Sequence, residues 1–461
     1  MLKVLQTIAK ETPNMLREED ITIRIKCQQY ESKGLFIGPD GTEAVIVFDS
    51  LQKTEDVRCP SCGSKVYIHE QKNTYLKDMP VWHGQEMGAC VIYHRYRCQS
   101  CKETFAEGIP MQYPGTRITT RAAQWVKGFL RQKLSVRAVQ LLTGIHWDTV
   151  RRIHKEMMDE TLKKRDKQLK AEGYKPRYLA VDEFAIHKGH TYATCVMDLE
   201  EGDVLWVGSG RSKEDFSKFF EEYDNSLLTD VIAVAMDMNA SYNALVEEHM
   251  PWAKIVYDRY HMQAQYGKDV LGTVRLEDAR KHRAHSQELW DKAKEETDLM
   301  NRKQIKTEAK TEKHRYGELK RLRWTLLKRK DRLNSEAETK LKEILESHSD
   351  LAVCYAMKEE MCRLFTLTDR EKTAEGWRNW FEAAKASSIP ALVRFAELKE
   401  KRLNGLIAHA EHPISTGRLE GFNNKIKVAK RVGYGYRDDS YFFTLVRFLA
   451  LPAKSEFHLI P

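Results

Sequence analysis

The 461-residue chain lacks any run of about eighteen consecutive apolar residues, the length that a membrane-spanning helix needs. Its first twenty residues, MLKVLQTIAKETPNMLREED, also lack the short apolar core and small-residue cleavage site of a secretory signal. We therefore expect a cytoplasmic protein with no membrane partner.

Acidic residues are the minority charge, since 67 Asp and Glu stand against 76 Lys and Arg, for a net charge of +9. This excess suits a nucleic-acid partner but is equally compatible with many other proteins, so charge alone decides nothing. The length predicts two to four domains. In the N-terminal segment, residues 1–58, the run LFIGPDGTEAVIVF predicts a hairpin turning at Pro-Asp-Gly, with no role indicated.

Nine cysteines in a reducing compartment argue against a disulfide framework and direct attention to metal-ligand spacing. Four of them form two C-x-x-C pairs, Cys59 with Cys62 and Cys98 with Cys101. Each pair can occupy two corners of a tetrahedron, and the alternating runs KVYIHE and CVIYHRYRC are typical of the strands of a zinc ribbon. Four thiolates complete a structural Zn²⁺ site, although the spacing leaves open whether His69, His83 or His94 joins it.

From about Thr119 the apolar period becomes helical. Two short helices around a Thr-Gly-Ile turn are predicted from the apolar positions Val136, Val139, Leu142, Val150, Ile153 and Met157. This pattern indicates a helix-turn-helix, and the alternative is an ordinary helical hairpin. In the first case the exposed start of the second helix would meet base edges and phosphates in a DNA major groove through His146, Trp147, Thr149, Arg151 and Arg152.

A different pattern begins near residue 173. Three strand-like runs, YLAVDEFAI, TYATCVMDL and DVLWVGSG, are followed by alternating helical and strand runs that end at AKIVYD. The order predicts an α/β domain with a mixed sheet covered by helices. From about Gly272 to His409 the chain is predicted to be nearly all helical.

Two of these apolar strands deliver carboxylates, Asp182 and Asp237. An unpaired buried carboxylate is costly, so we expect these two to become neighbours and to share a divalent cation. Mg²⁺ prefers such hard oxygen ligands, and two ions about 3.5 to 4 Å apart stabilise both reacting oxygens in phosphodiester displacement. Glu183 should point to the opposite face of the sheet.

A third carboxylate is predicted at Glu420, in the first turn of a helix that Ser415 or Thr416 can cap. The alternative is a surface glutamate. Amides and cations surround it in the sequence and suit a phosphate backbone: Arg418, Asn423, Asn424, Lys425, Lys427, Lys430 and Arg431.

Together the segments CPSCGS…RCQSC, the helix-turn-helix, AVDEFAIHKGHTY, AVAMDMNASY, DRYHMQ and STGRLEGFNNKIKVAKRVGYGY resemble the bacterial DDE transposases of the ISL3 insertion-sequence family. The resemblance runs from about Cys59 to Phe448. It implies an RNase H-like core with Asp182, Asp237 and Glu420 as its catalytic triad, two Mg²⁺ (or Mn²⁺) ions there, and a structural Zn²⁺. It further implies cleavage and strand transfer on double-stranded DNA, at the terminal inverted repeats of the element and at the target. The enzyme is expected to act as a homodimer in the synaptic complex. Its expected location is the bacterial cytoplasm, on the nucleoid when bound to DNA.

The resemblance also assigns Asp258 and His261, in DRYH, to holding DNA near the cleavage point instead of binding the catalytic metal; a polar residue near a strand end is the plain alternative for His261. The 420 − 237 = 183 residues between the last two triad members imply a helical insertion. The expected domains are a segment of uncertain role (1–58), zinc ribbon (59–110), helix-turn-helix and connector (111–172), core (173–271), insertion (272–409) and the rest of the core (410–461). Two alternative functions remain open: a nuclease or resolvase, and a non-catalytic DNA-binding regulator.

Overall fold

The computed structural model describes residues 29–38, 41–80, 86–187 and 191–451. They form two compact units: the described residues up to 165 with 429–444, and residues 166–428 with 445–451. Both units contain a five-stranded sheet and helices, so the predicted α/β class is confirmed. No helix among the described residues is long and apolar enough to cross a membrane.

The sheet of the first unit contains β1 Tyr30–Ile37, β2 Glu43–Ser50, β3 Val66–Asp78, β4 Glu86–Cys98 and β5 Thr104–Ala106. Its order is β1-β2-β4-β3, with β5 also on β4. β1 and β2 pair antiparallel as the predicted hairpin requires, although Pro39 and Asp40 of its turn lie outside the described residues. β2 then pairs parallel with β4, so the boundary expected after residue 58 lies between strands of one sheet.

Three helices follow: α1 Thr120–Arg131, α2 Val136–Thr143 and α3 Trp147–Ala171. The Ser135 side chain caps α2, which ends at Gly144 with φ of 63°, a conformation that glycine adopts without strain. The predicted inward positions of α3 are buried: Val150, Ile153 and Met157. The prediction for Leu142 is wrong, since it is 57% exposed; Thr143, a full turn after the buried Val139, takes the inner position instead.

The sheet of the second unit contains β6 Tyr178–His187, β7 Thr191–Asp198, β8 Val204–Ser209, β9 Ala233–Met236 and β10 Lys254–Tyr257, in the order β10-β9-β6-β7-β8. β6, β7 and β8 form the predicted antiparallel meander, and β9 and β10 run parallel to β6. Helices α4 Lys213–Glu222 and α5 Ala240–His249 alternate with the later strands. Their apolar faces, including Phe216 and Val246, pack with sheet residues such as Val181 and Val234 in one buried core.

From Gly272 to His409 the described chain is nearly all helical, as predicted, and further helices flank this segment. The helices are α6 Arg259–Tyr266, α7 Gly272–Glu295, α8 Leu299–Arg321, α9 Arg323–Leu327, α10 Ser335–Ser347, α11 Ser349–Leu364, α12 Arg370–Ala386, α13 Pro390–Glu400, α14 Leu403–Glu411, α15 Gly417–Val432 and α16 Asp439–Ala450. One π-helical turn, Gly267–Leu271, joins α6 to α7. The segment from α6 to α14 has its own large core, centred on aromatic residues such as Trp377, Phe381 and Tyr266.

Candidate active site and cysteine cluster

Strand register aligns the two predicted aspartates at one edge of the second sheet. β6 and β9 are adjacent and parallel, with Ala180 opposite Ala235. Two residues further along each chain come Asp182 and Asp237, at the same level. Carboxyl ends of parallel strands are where open α/β sheets collect their functional groups. The expected proximity of these strands is therefore present.

The third parallel strand adds an aspartate to the same edge. Tyr257 of β10 lies opposite Met236 of β9, so the following residues, Asp258 and Asp237, are also level. The N–H of Asp258 donates to the carbonyl of Met236 at 3.1 Å and extends the parallel pairing by one residue. Asp237 and Asp258 thus follow β9 and β10 directly, and Asp182 lies at the same level within β6, just beyond its pairing with β9.

Glu420 reaches this edge from α15. The imidazole of His261 lies between the carboxylates, with Nδ1 3.8 Å from Oδ2 of Asp237 and Nε2 4.0 Å from Oε1 of Glu420. The Thr416 carbonyl accepts the N–H of Glu420 at 2.8 Å, and its hydroxyl donates to Oε1 at 3.3 Å. The start of the helix therefore fixes both the backbone and the side chain of Glu420.

Asp182 is the most enclosed of the three predicted catalytic carboxylates. Its pKa is raised to about 6, chiefly by burial and to a smaller extent by the carboxylates of Glu183 and Glu420, while the Glu183 N–H and His261 oppose the shift. Oδ2 accepts a hydrogen bond of 2.9 Å from Nδ2 of Asn423. A divalent cation would relieve this concentration of negative charge.

Asn423 occupies a different place from the DNA-facing one expected for it. It is buried, and its amide nitrogen holds Asp182. Its Oδ1 is buried and has no hydrogen-bond partner among the described residues. A buried amide oxygen without a donor is a hard ligand available to a cation or its water.

Glu183 has hydrogen-bond partners outside this group, as expected for a side chain on the opposite face of the sheet. Burial and, less strongly, the charge of Asp237 raise its pKa, while hydrogen bonds from Tyr242 and Asn239 and the charge of Arg211 lower it. These partners differ from those of Asp182. The two adjacent carboxylates therefore have separate environments, as alternation along a strand requires.

Asp258 is 3% exposed and accepts three backbone N–H groups. Oδ1 caps α6 by accepting from Tyr260 at 2.7 Å and His261 at 3.4 Å, and Oδ2 accepts from Thr416 at 2.9 Å. Ligand atoms of Asp258, His261 and Glu420 lie within 4.8 Å of one another, a spacing that could hold a metal ion. Because both oxygens of Asp258 already accept backbone hydrogen bonds, its observed contribution is to join α6 to the start of α15.

At the start of α3, Trp147 is 41% exposed and Thr149 is partly exposed. Arg151, expected beside them on DNA, pairs with Asp438 at 2.5 Å and lies over the ring of Tyr441, 4.6 Å from its centroid. The guanidinium of Arg151 thus has intramolecular partners within the first unit.

Arg152 is also engaged by its own chain. It donates to the carbonyls of Pro114 at 2.7 Å and Gly115 at 3.2 Å, and lies 3.6 Å from the Glu156 carboxylate. Contact with a base would require some of these bonds to be exchanged.

The remaining predicted DNA contacts lie on α15. Its exposed polar and cationic residues are Asn424, Lys425, Lys427 and Arg431, and Lys430 is partly exposed. Arg418 is exposed but donates to three carbonyls of the turn between β7 and β8, those of Leu199, Glu200 and Glu201. It clamps this turn, where Gly202 has φ of 84° and leaves no room for a side chain against the guanidinium.

The four predicted zinc ligands are brought together in the first unit. The Sγ separations are 3.6 Å for Cys59 and Cys101, 3.4 Å for Cys62 and Cys98, and 3.6 Å for Cys62 and Cys101. Four thiolates about 2.3 Å from one tetrahedral Zn²⁺ would lie roughly 3.8 Å apart. The donor set and its spacing fit a structural zinc.

The histidines left open by the sequence do not join this cluster among the described residues. His94 instead lies beside Glu107, with Nδ1 3.4 Å from the carboxylate, and His69 is exposed. His83 lies outside the described residues. Backbone N–H groups of Ser100 and Cys101 donate to Cys98 Sγ at 3.4 Å and stabilise it as a thiolate.

The mixed sheet, the three predicted catalytic carboxylates and the helix that carries Glu420 all lie in the segment that matches a known protein family. Residues 179–446, more than half of the chain, match the family of DDE proteins described as "Transposase" and designated ISL3. The chain belongs to the ISL3 transposase family, and the predicted membership is confirmed.

Individual relatives agree with this membership. The chain is 33% identical over 394 residues to the transposase for insertion sequence element IS1001 of Bordetella parapertussis, covering 84% of this chain and 87% of that protein. It is 25% identical over 398 residues to the transposase for insertion sequence element IS1557 in two strains of Mycobacterium tuberculosis, covering 82% of each protein.

Proposed function

We propose that this transposase binds the ends of its insertion sequence, cleaves DNA there with divalent cations and joins the freed strand to target DNA. One observation carries the proposal: Asp182 and Asp237 are level at the carboxyl edge of a mixed sheet, and α15 brings Glu420 within 4.0 Å of the same imidazole that lies beside Asp237. We interpret the sheet as an RNase H-like core interrupted by helices.

The oxygen donors at this edge suit Mg²⁺ or Mn²⁺. Asp182, Asp237 and Glu420 would hold two ions, and the unpartnered Oδ1 of Asn423 adds a further hard donor. When bound, such ions would supply Lewis acidity to the phosphate and reacting oxygens. The raised pKa of Asp182 supports this interpretation because burial first, and the neighbouring carboxylates of Glu183 and Glu420 second, disfavour its anion, which a bound cation would stabilise.

In the proposed first step, a water oxygen bonds to the phosphorus at the element end, the bond from phosphorus to the 3′ oxygen breaks, and that oxygen takes a proton. The 3′ hydroxyl then attacks a target phosphodiester in the same way and displaces its 3′ oxygen. The protein positions these atoms: Asn423 orients Asp182, Thr416 fixes Glu420, and His261 lies where an imidazole can hydrogen-bond to a phosphate oxygen.

The first unit would provide DNA recognition. We propose a zinc ribbon in residues 59–110 held by the four clustered cysteines, and a helix-turn-helix with its connector in 111–172. The core would comprise 173–271 and 410–461, with the insertion at 272–409. Exposed cations of α15 would contact phosphates of the inverted repeat or target duplex. Because two ends must be joined, we expect a homodimer on DNA, in the bacterial cytoplasm.

The decisive experiment compares binding and chemistry in the same variants. Asp182→Asn, Asp237→Asn and Glu420→Gln remove a negative charge at nearly constant size, so each should shift labelled end DNA in a gel as the parent does. With Mg²⁺, each should release no 3′ hydroxyl and transfer no strand on a denaturing gel.

Glu183→Gln is the matched control, since this carboxylate lies next to Asp182 but faces other partners. It should retain appreciable cleavage. Parental cleavage by Glu420→Gln would show that the third ligand is misassigned. Hydrolysis by the parent without strand transfer would identify a nuclease or resolvase, and binding without any cleavage would identify a regulator.

A further inference from the structure

A pocket of about 570 Å³ opens in the second unit between α6, the π-helical turn, α7 and α9. This volume lies within the range of about 300 to 1,000 Å³ that is usual for small-molecule sites. Its charged and aromatic lining consists of Tyr260, Lys268, Arg275, Arg280, Arg323 and Trp324. None of these residues belongs to the carboxylate group described above.

The lining contains four cations and no carboxylate. Lys268, Arg280 and Arg323 are exposed and form no ion pair within the described part of the chain. Arg275 is buried and fixed by two hydrogen bonds, to the carbonyls of Leu319 at 2.9 Å and Lys320 at 3.0 Å. So many cations facing one space repel one another unless an anion neutralises them. A polyanionic ligand has the complementary charge.

Two large aromatic side chains at this pocket are left in solvent. Trp324 is 66% exposed and Tyr260 is 61% exposed. The guanidinium of Arg323 lies over the Trp324 ring, 4.9 Å from its centroid. Exposed aromatic rings among cations form the combination by which proteins bind unpaired nucleotides, with bases stacked on rings and phosphates on charges.

The backbone builds this arrangement at the π-helical turn. A side chain on Gly267 would begin 2.2 Å from Cδ2 of Leu327, so glycine at 267 lets the Leu327 side chain of α9 pack directly onto the turn. Leu327 and Trp324 are in the same short helix, so this approach brings the indole to the pocket. π-helical turns are rare and frequently occur at functional sites.

The pocket adjoins the candidate active site. Tyr260 lines the pocket, and the next residue, His261, lies 3.8 Å from Asp237. The two rings are perpendicular, with centroids 5.8 Å apart. A DNA strand with a phosphate at the carboxylates would therefore have a neighbouring nucleotide close to the pocket.

We propose that this pocket receives one unpaired nucleotide of the DNA strand next to the cleavage point. Its base stacks on Trp324 and Tyr260, and its flanking phosphates contact the surrounding cations. This inference rests on the proposed function, because it takes the carboxylate edge as the place of cleavage. It assigns to the helical insertion a direct role in holding separated DNA.

The test uses end DNA in which a single abasic nucleotide is moved through successive positions around the cleavage point. Equilibrium binding is measured by fluorescence anisotropy without divalent cation for the parent, Trp324→Ala, Trp324→Phe and Trp252→Ala. Trp252 is the matched control, since it is 50% exposed in the same unit and does not line the pocket.

For the parent, the abasic nucleotide should lower affinity at one position by roughly 5- to 150-fold, the range expected for losing one stacked base. Trp324→Ala should bind intact DNA more weakly by a similar factor and show little additional loss at that position. Trp324→Phe should keep most of the effect, and Trp252→Ala should behave as the parent does.

Two results would overturn the proposal. One is that removing the base and removing the Trp324 side chain lower the affinity independently, so that their effects multiply. The other is that Trp324→Ala and Trp252→Ala bind DNA equally well. The proposal would also be overturned if a free deoxynucleotide, at the same concentration as the end DNA, displaced that DNA, because the pocket would then be a site for free nucleotides. Cleavage by the parent in Mg²⁺ is scored separately. If the parent cleaves DNA but the two losses of affinity are independent, only the pocket proposal is refuted. If the losses of affinity are coupled but the parent does not cleave, the proposed enzyme activity is refuted.

Discussion

Replacing Asp258 by asparagine tests how α15 is held at the carboxylate edge. In the parent, Oδ1 caps α6 and Oδ2 accepts the buried N–H of Thr416. Asparagine caps helices as well as aspartate does, but its single oxygen cannot serve both sites, so an NH₂ group would face the Thr416 N–H. A buried donor without an acceptor costs about 1–3 kcal/mol. The start of α15 should become less stable by this amount.

The local readout is hydrogen exchange measured by mass spectrometry on peptides that cover residues 416–424. A loss of 1–3 kcal/mol corresponds to exchange roughly 5- to 150-fold faster where local opening controls exchange. Cleavage of end DNA should fall with it, because Glu420 follows this turn, while binding of end DNA should persist.

Asp369→Asn is the control for capping alone. Asp369 caps α12 by accepting the N–H of Lys372 at 2.9 Å, so asparagine should replace it with little effect on exchange in that helix. If Asp258→Asn leaves exchange in residues 416–424 at the parental rate, the bond between Asp258 and Thr416 does not hold α15, and the reasoning fails.

Three further predictions concern the first unit and α15. Cys98→Ser should release about one Zn²⁺ per chain by metal analysis and loosen the ribbon, whereas Cys90→Ser, outside the four-sulfur cluster, should not; a parent without zinc refutes this. Burial lowers the pKa of His154 to about 4 from 6.5, so the unfolded state binds more protons between these values. Neutral His154 therefore contributes up to ~3 kcal/mol to the free energy of unfolding above pH 6.5, and this contribution is lost as the pH falls through 4. In denaturant titrations, His154→Gln should flatten the dependence of stability on pH over this range. Lys427→Gln should weaken binding equally to end and random duplex and reduce the salt-dependence slope by about 1; a loss confined to end DNA contradicts a phosphate contact.

Local patterns predicted most of the elements because their periods are strong. The meander and the later strands of the second unit follow apolar runs of strand length, and α2 and α3 follow helical spacing with a glycine between them. The inward residue of α2 was harder to identify: Leu142 has the greater hydrophobicity, but helix geometry buries Thr143. The parallel pairing of β2 with β4 joins segments distant in the sequence, and no local signal specifies it.

The chemical roles of single side chains were less predictable than their identities. Asn423 lies three residues after Glu420, a spacing that places both on one helix face. Its position beside the carboxylate group could therefore be predicted from the sequence. An aspartate directly before a helical segment also predicts the N-cap that Asp258 forms. Arg418 and Arg152 are different, because a guanidinium meets phosphate or its own chain's carbonyls according to tertiary packing.

The contact between Asp258 and Thr416 also explains how a long helical segment can interrupt the chain without separating Glu420 from the aspartates. The two residues are 158 positions apart, yet one hydrogen bond of 2.9 Å joins the point where the chain leaves β10 to the point where α15 begins. The entropy of closing a loop grows only logarithmically with length, and the segment has its own core to stabilise it. The length of the segment therefore matters little to the carboxylate edge as long as its two ends meet, and the buried carboxylate of Asp258 is the group that joins them.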